Sequence, residues 1–276
     1  MRKLLLICML SLGILQTDAQ VKMPAPSPTQ TVKQDFGIGN IELTYSRPSV
    51  KGRKIFGDLV PYNKIWRTGA NSPTKIKLSE PAEIGGKLID TGSYALYTIP
   101  GKESWEIIIN KGLGNWGVDG YKTSDDVARF TVSPSKLKKA VETFTIQFTN
   151  IKPESCDLEL SWQKTSVAIP ITVNFKEKVK AQLEAALLSD KKPYWQAAQF
   201  YREYEKDLPK ALENVEKATE ENPKAFWVML YKARILKEMG NTTAALEASN
   251  ASLALAKEAK NDDYVKLNED FQKDLK

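Results

Sequence analysis

Two stretches near the middle of the chain, Phe144-Thr145-Ile146-Gln147-Phe148 and Cys156-Asp157-Leu158-Glu159-Leu160-Ser161-Trp162, place an apolar residue at every second position. A period of two belongs to a strand with one buried face, because successive side chains point to opposite sides of a sheet. Cys156 takes one of the apolar slots and is read as a core residue, since a free cysteine packs like a small hydrophobe. The same alternation recurs in Ile41, Leu43 and Tyr45 and again in Trp105, Ile107 and Ile109. Between such runs stand turn signals: Gly85-Gly86, Thr91-Gly92, Pro100-Gly101 and Lys152-Pro153. Gly85-Gly86, flanked by Ala82-Glu83-Ile84 and Lys87-Leu88-Ile89, has the form of a two-residue hairpin loop. Residues 35–175 are therefore expected to form a mainly β domain, an antiparallel β-sandwich or barrel of eight or more strands.

Further along the chain the period changes. Lys176–Ser189, Pro193–Lys206, Pro209–Glu221, Lys224–Met239, Thr242–Glu258 and Asp262–Leu275 read as amphipathic helices, so residues 176–276 form an all-α domain. Ala211, Leu212 and Ala218 recur 34 residues later as Ala245, Leu246 and Ser252. With Ala233, Leu236 and Gly240 they resemble two degenerate tetratricopeptide repeats, which predicts a helical-repeat domain. A plain helical-hairpin bundle is the alternative, because small residues at helix crossings are common in any bundle.

At the other end, Arg2 and Lys3 precede the apolar run Leu4–Leu15, and Thr17-Asp18-Ala19 offers small residues for cleavage before Gln20. This is the form of a secretory signal peptide over residues 1–19, too short to span a bilayer. Export to the periplasm, the cell surface or the medium follows as the expected location. Residues 20–34, with Pro24, Pro26 and Pro28, read as a flexible lead-in.

Composition excludes much. The chain has no histidine and two cysteines, Cys8 inside the expected signal peptide and Cys156. Serine–histidine and cysteine–histidine catalysis within one chain is thereby ruled out, as are histidine- or cysteine-based zinc sites and an intramolecular disulfide in the mature chain. No cofactor or metal is expected. The net charge of +6 lies entirely before Lys176, since basic and acidic residues balance from there on. That excess is too mild for nucleic-acid binding, and an exported address makes nucleic acid a poor partner.

Two catalytic motifs fail on context. Gly112-Leu113-Gly114-Asn115-Trp116-Gly117 has the dinucleotide-binding spacing but leads into the loop Val118-Asp119-Gly120-Tyr121, with no acidic residue about twenty positions on. It reads as a wide glycine loop displaying Trp116, either as a lid on the core or as a stacking surface for a sugar. Ser133-Pro134-Ser135-Lys136 has serine–lysine spacing, but the proline forbids the helix that would align the pair. Paired carboxylates remain, drawn from Asp58, Glu103, Glu106, Asp119, Asp125 and Asp126, and would make the protein a histidine-free glycan hydrolase.

The densest signal is Ser46–Asn71. Arg47, Lys51, Arg53, Lys54 and Arg67 are interleaved with Pro48, Gly52, Gly57 and Pro61 and flanked by Tyr62 and Trp66. Turns at these positions would gather the cations on one rim. Guanidinium groups recognise carboxylate, sulfate or phosphate through paired hydrogen bonds, and an aromatic neighbour stacks on a sugar. Arg47, Lys51, Arg53, Tyr62, Trp66, Arg67, Asn71 and Trp116 are thus the candidate residues for an anionic or glycan ligand. The competing reading makes Arg47 and Arg67 staples paired with buried acids such as Asp58, with Asn71 bonded to its own backbone.

Ser46-Arg47-Pro48, Lys51-Gly52-Arg53, Ile55-Phe56-Gly57, Leu59-Val60-Pro61-Tyr62 and Trp66-Arg67-Thr68-Gly69-Ala70-Asn71 resemble the signature of the DUF2911 family. Gly92–Gly101, Asn110-Lys111 and Asn115-Trp116-Gly117 extend the likeness, which covers roughly residues 35–175. The resemblance implies an exported bacterial β-domain and supplies no activity. The expected function is a non-enzymatic binding protein, with a basic-aromatic loop region for a ligand and helical repeats for a protein partner.

Overall fold

The structure, a computed structural model, describes residues 23–275; the expected signal peptide lies outside them. The described residues divide into two compact units between Val173 and Asn174.

The first unit has ten strands among its described residues: β1 (Thr29–Phe36), β2 (Gly39–Ser46), β3 (Thr74–Leu78), β4 (Ala82–Ile84), β5 (Lys87–Ile89), β6 (Gly92–Ile99), β7 (Trp105–Asn110), β8 (Asp126–Val132), β9 (Pro134–Thr149) and β10 (Ser155–Thr172). They form two antiparallel sheets, ordered β1-β2-β3-β6-β7-β8 and β5-β4-β10-β9, that do not close into a barrel. The alternation that announced them is the burial pattern itself. Ile41, Leu43, Ile76, Leu96, Ile107 and Ile109 of one sheet share a core with Ile84, Phe144, Ile146, Leu158, Leu160 and Trp162 of the other. Cys156 is buried in this core, and desolvation pushes its thiol up to about 11. Gly85-Gly86 is the hairpin loop between β4 and β5, both glycines at positive φ (59° and 73°), as a tight primed turn requires.

One boundary differs from expectation. Residues 29–34, placed by the sequence reading in a flexible lead-in, belong with Asp35 and Phe36 to β1, which pairs along its whole length with β2 as an edge strand. Its inward residues are few and its outward ones polar, so the alternation is faint. The prolines that suggested a tail lie just before it.

The second unit is a bundle of six helices among the described residues: α1 (Lys176–Ala186), α2 (Tyr194–Phe200), α3 (Leu208–Glu221), α4 (Phe226–Glu238), α5 (Thr242–Glu258) and α6 (Asp262–Lys273). Consecutive helices pack on one another. Ala197, Ala198, Ala211, Ala218 and Ala225 are buried with Val215, Val228 and Ile235 in the core of the first four. Side chains of Asp207, Asn241 and Asn261 accept the free backbone N–H of Lys210, Ala244 and Tyr264 and so begin α3, α5 and α6. The stretch expected as one helix, Pro193–Lys206, instead widens after Phe200 into a π-turn over Tyr201–Glu205 and ends at Lys206 in a left-handed conformation. Among the described residues, no helix is long and apolar enough to cross a membrane.

Candidate functional site

The Ser46–Asn71 segment closes one end of the two sheets, and its apolar members decide its course. Ile55, Phe56, Val60 and Trp66 are all buried in the shared core. Trp66 stacks on Trp162 (6.0 Å between ring centres, 15° between planes) and meets Phe56, Trp105 and Phe144 edge-on. Its indole N–H donates to the Gly69 carbonyl at 3.1 Å. Trp66 is therefore a core residue, not the stacking surface the sequence suggested. Nothing in its spacing distinguished the two roles, because both need an aromatic beside an arginine.

The cations do not gather on a single rim. Arg47 donates through Nε to the Phe144 carbonyl (3.1 Å) and through Nη2 to Thr145 Oγ1 (2.8 Å). It is a staple, but between β2 and β9 and onto neutral acceptors; Asp58 plays no part. The Phe144 backbone N–H donates to the Pro48 carbonyl at 2.9 Å, which brings the chain after β2 against β9 and puts these neutral oxygens within reach of Arg47. Arg53 folds back on its own loop, donating to the carbonyls of Val50 (3.0 Å) and Ser49 (2.6 Å). Lys51, at φ 48°, gives its backbone N–H to Glu142 Oε1 at 2.8 Å.

Arg67, Asn71 and Trp116 do come together. Arg67 Nη1 donates to the Asn71 carbonyl at 3.3 Å, and the Gly117 backbone N–H donates to the same oxygen at 3.2 Å. Gly117 sits at φ 65°, a conformation that favours glycine, and any Cβ there would lie 2.7 Å from Arg67 Nη1 and push the guanidinium aside. Asn71 donates through Nδ2 to Ser46 Oγ (3.2 Å) rather than to its own backbone. Arg67 also lines a cavity of about 190 Å³ with Leu59, Val60, Pro61, Lys64, Ile65, Trp66 and Val118. Leu59 and Val118 are 45% and 41% exposed at this cavity, whose lining has two cations, Arg67 and Lys64, among apolar side chains; Trp116, 62% exposed, lies one residue before Gly117. Among the described residues no carboxylate lines this cavity or pairs with Arg67. Of the five N–H donors of its guanidinium, one is bonded within the chain among the described residues.

Trp116 is thus exposed and not a lid on the core. The covering of the outer sheet face falls to its loop neighbours. Tyr97, Ala95 and Ile108 are fully buried there beneath Ile65, Ile99 and Tyr121. Asn115 Nδ2 donates to the Tyr97 hydroxyl (3.0 Å), whose ionisation burial pushes upward. Tyr121 donates to Asp126, which also takes Arg129 Nε (2.7 Å) and Asn110 Nδ2 (2.7 Å). Arg129 reaches Glu106 as well, Nη1 to Oε1 at 2.9 Å. Glu106 and Asp126, two of the carboxylates considered for hydrolysis, are therefore bridged by one guanidinium whose own ionisation Asp126 pushes upward. Asp126 holds the Tyr121 loop to the sheet, and both carboxylates are engaged by Arg129. Among the described residues no group of three histidine, cysteine, aspartate or glutamate side chains is arranged to hold a metal.

Tyr62 lies elsewhere, over a larger cleft that the sequence did not disclose. Two adjoining cavities, about 280 Å³ and about 440 Å³, share Phe56, Tyr62, Lys164 and Thr165. Lys102 and Lys136 line the smaller, Lys54 lines the larger, and Lys164 lines both. Of these cations only Lys54 lies in the basic stretch the sequence singled out. The other three come from loops and strands more than forty residues away, and the fold alone gathers them.

No curated protein and no solved structure matches the chain. A family model does, over residues 27–171, just over half of the 276 residues, and it spans both sheets, the Arg67 cavity and the lysine-lined cleft. The chain belongs to the DUF2911 family, described as a protein of unknown function.

Proposed function

We propose that this chain is an exported, non-enzymatic binding protein whose β-sandwich takes an anionic ligand, the carboxylate of a sugar acid or similar small anion, at Arg67. The observation that carries this reading is half-buried Arg67, its guanidinium bonded to the Asn71 carbonyl and close to Gly117, lining a cavity that Lys64 also lines and that no acid lines among the described residues. A bound carboxylate would accept the donors left free and use the fork geometry of the guanidinium. Trp116 stands exposed beside it as a face for a sugar ring. Export rests on the signal-peptide pattern of residues 1–19. The helical unit, read as degenerate tetratricopeptide-like repeats, supplies a surface for a protein partner.

A thermal-shift series on the mature protein with acetate, glucuronate, galacturonate and neutral glucose tests the site. A sugar acid should raise the wild-type melting temperature, glucose should not, and Arg67→Ala should abolish the shift while keeping nearly the wild-type melting point. A large loss of stability in Arg67→Ala, with no shift from any anion in the wild type, would make Arg67 a structural clamp and sink the reading.

A further inference from the structure

We infer that the lysine-lined cleft beside Tyr62 is a second binding site, distinct from Arg67, and that it takes a linear acidic polysaccharide at least two sugar units long. The cleft is made by an irregularity in the sheet. β9 and β10 pair at Val141 with Gln163 and again at Lys136 with Thr165. Leu137, Lys138, Lys139 and Ala140 of β9 thus stand opposite the single residue Lys164 of β10. A bulge of this size bends its strand away from its partner and opens the sheet locally. One cavity lies on either side of it, the smaller against Pro134–Lys136 and the larger against Ala140–Glu142, and Lys164 faces both.

The chemistry of the lining fits a chain of rings with repeated negative charge. Lys54, Lys102, Lys136 and Lys164 are exposed, and none has a carboxylate partner among the described residues. They are distributed along both cavities instead of converging on one point, which suits a charge repeated along a ligand rather than one phosphate. Glu142, the one acid in the lining, is occupied by the backbone N–H of Lys51. Tyr62 is common to both cavities and is seated by Gly57, where any Cβ would meet the ring at 2.6 Å. Its half-buried ring gives an apolar face common to two cavities, with Lys102 and Lys136 on one side, Lys54 on the other and Lys164 on both, a set that can stack a sugar while ammonium groups meet its carboxylates. Thr165 lines both cavities and Ser135, whose hydroxyl donates to the Ser166 carbonyl at 3.3 Å, lines the smaller.

Binding of galacturonate monomer, dimer and tetramer to the mature protein tests this, with neutral cellotetraose and a poly-glutamate of matched charge as controls. Affinity should rise from monomer to tetramer and weaken with salt, and cellotetraose should not bind. The double variant K136E/K164E, at exposed positions, should keep the wild-type melting temperature and bind the tetramer about tenfold or more weakly. Tyr62→Ala should weaken the tetramer and leave any poly-glutamate binding unchanged, whereas Arg67→Ala should leave the tetramer's affinity intact. Tetramer binding lost in Arg67→Ala but kept in the double lysine variant would overturn the second site while leaving the Arg67 reading standing. Equal affinity for poly-glutamate with a silent Tyr62→Ala, no dependence on length, or no tetramer binding at all would each refute the acidic-polysaccharide assignment.

Discussion

Three arginines within one loop region show how little a residue type says about its role. Arg47, Arg53 and Arg67 are similarly placed among glycines and prolines, yet Arg47 bonds one main-chain oxygen and one threonine hydroxyl, Arg53 bonds two main-chain oxygens, and Arg67 makes a single 3.3 Å bond. The difference lies in what each guanidinium meets in space, which spacing along the chain does not encode. Trp66 makes the same point from the apolar side. Its ring is 8% exposed and contacts four other aromatics of the core. Trp66→Ala should lower unfolding free energy by about 3–5 kcal/mol, the usual cost of emptying a large aromatic site, as measured by urea denaturation. A loss below about 1 kcal/mol would mean the ring is peripheral and would return it to the list of ligand residues.

At the scale of elements, the short hairpin β4–β5 is where local sequence and tertiary packing can be separated. Gly85 and Gly86 both adopt left-handed conformations, which an L side chain enters at a cost of about 1–2 kcal/mol. A methyl on Gly86 would meet nothing within 4 Å, whereas one on Gly85 would lie 2.2 Å from the Phe130 ring on β8. Gly86→Ala should therefore destabilise by about that backbone cost alone. Gly85→Ala should destabilise clearly more, because Phe130 must also leave its place against the core. Equal melting temperatures for the two variants would show that the β5–β8 contact is loose. The dipeptide made the hairpin legible in the sequence, but its contact with β8 joins edges of two different sheets. The bulge in β9 was not legible at all: Lys136–Ala140 lacks glycine and shows no break in composition that would mark it.

For the whole molecule, the division into a two-sheet unit and a six-helix unit predicts that each half carries its own core. The two cores as found, one ending at Ile171 and one beginning at Leu183, share no residue. A fragment of residues 174–276 should be monodisperse and strongly helical by far-ultraviolet circular dichroism; a random-coil spectrum would show that the helices need the β unit to fold. Much of this plan was written in the sequence. Period-two alternation fixed the core strands and period-3.6 alternation the helices, because burial on one face imposes its repeat on any chain that adopts the element. Glycine and proline turn signals marked where strands stop, since those backbone conformations admit few other residues, whereas the Asp207, Asn241 and Asn261 caps emerged with the structure. The edge strand β1, wholly polar on its outward face and half polar on its inward one, left too weak a period to be read. What only the tertiary structure decided is which charged groups meet. Arg67 reaches Gly117 across the sheet end, Glu106 and Asp126 meet on Arg129, and four lysines from separate segments surround Tyr62. Solvated charges leave no periodic trace in a sequence, because nothing forces them to a buried face, so their neighbours are set by the folded chain alone.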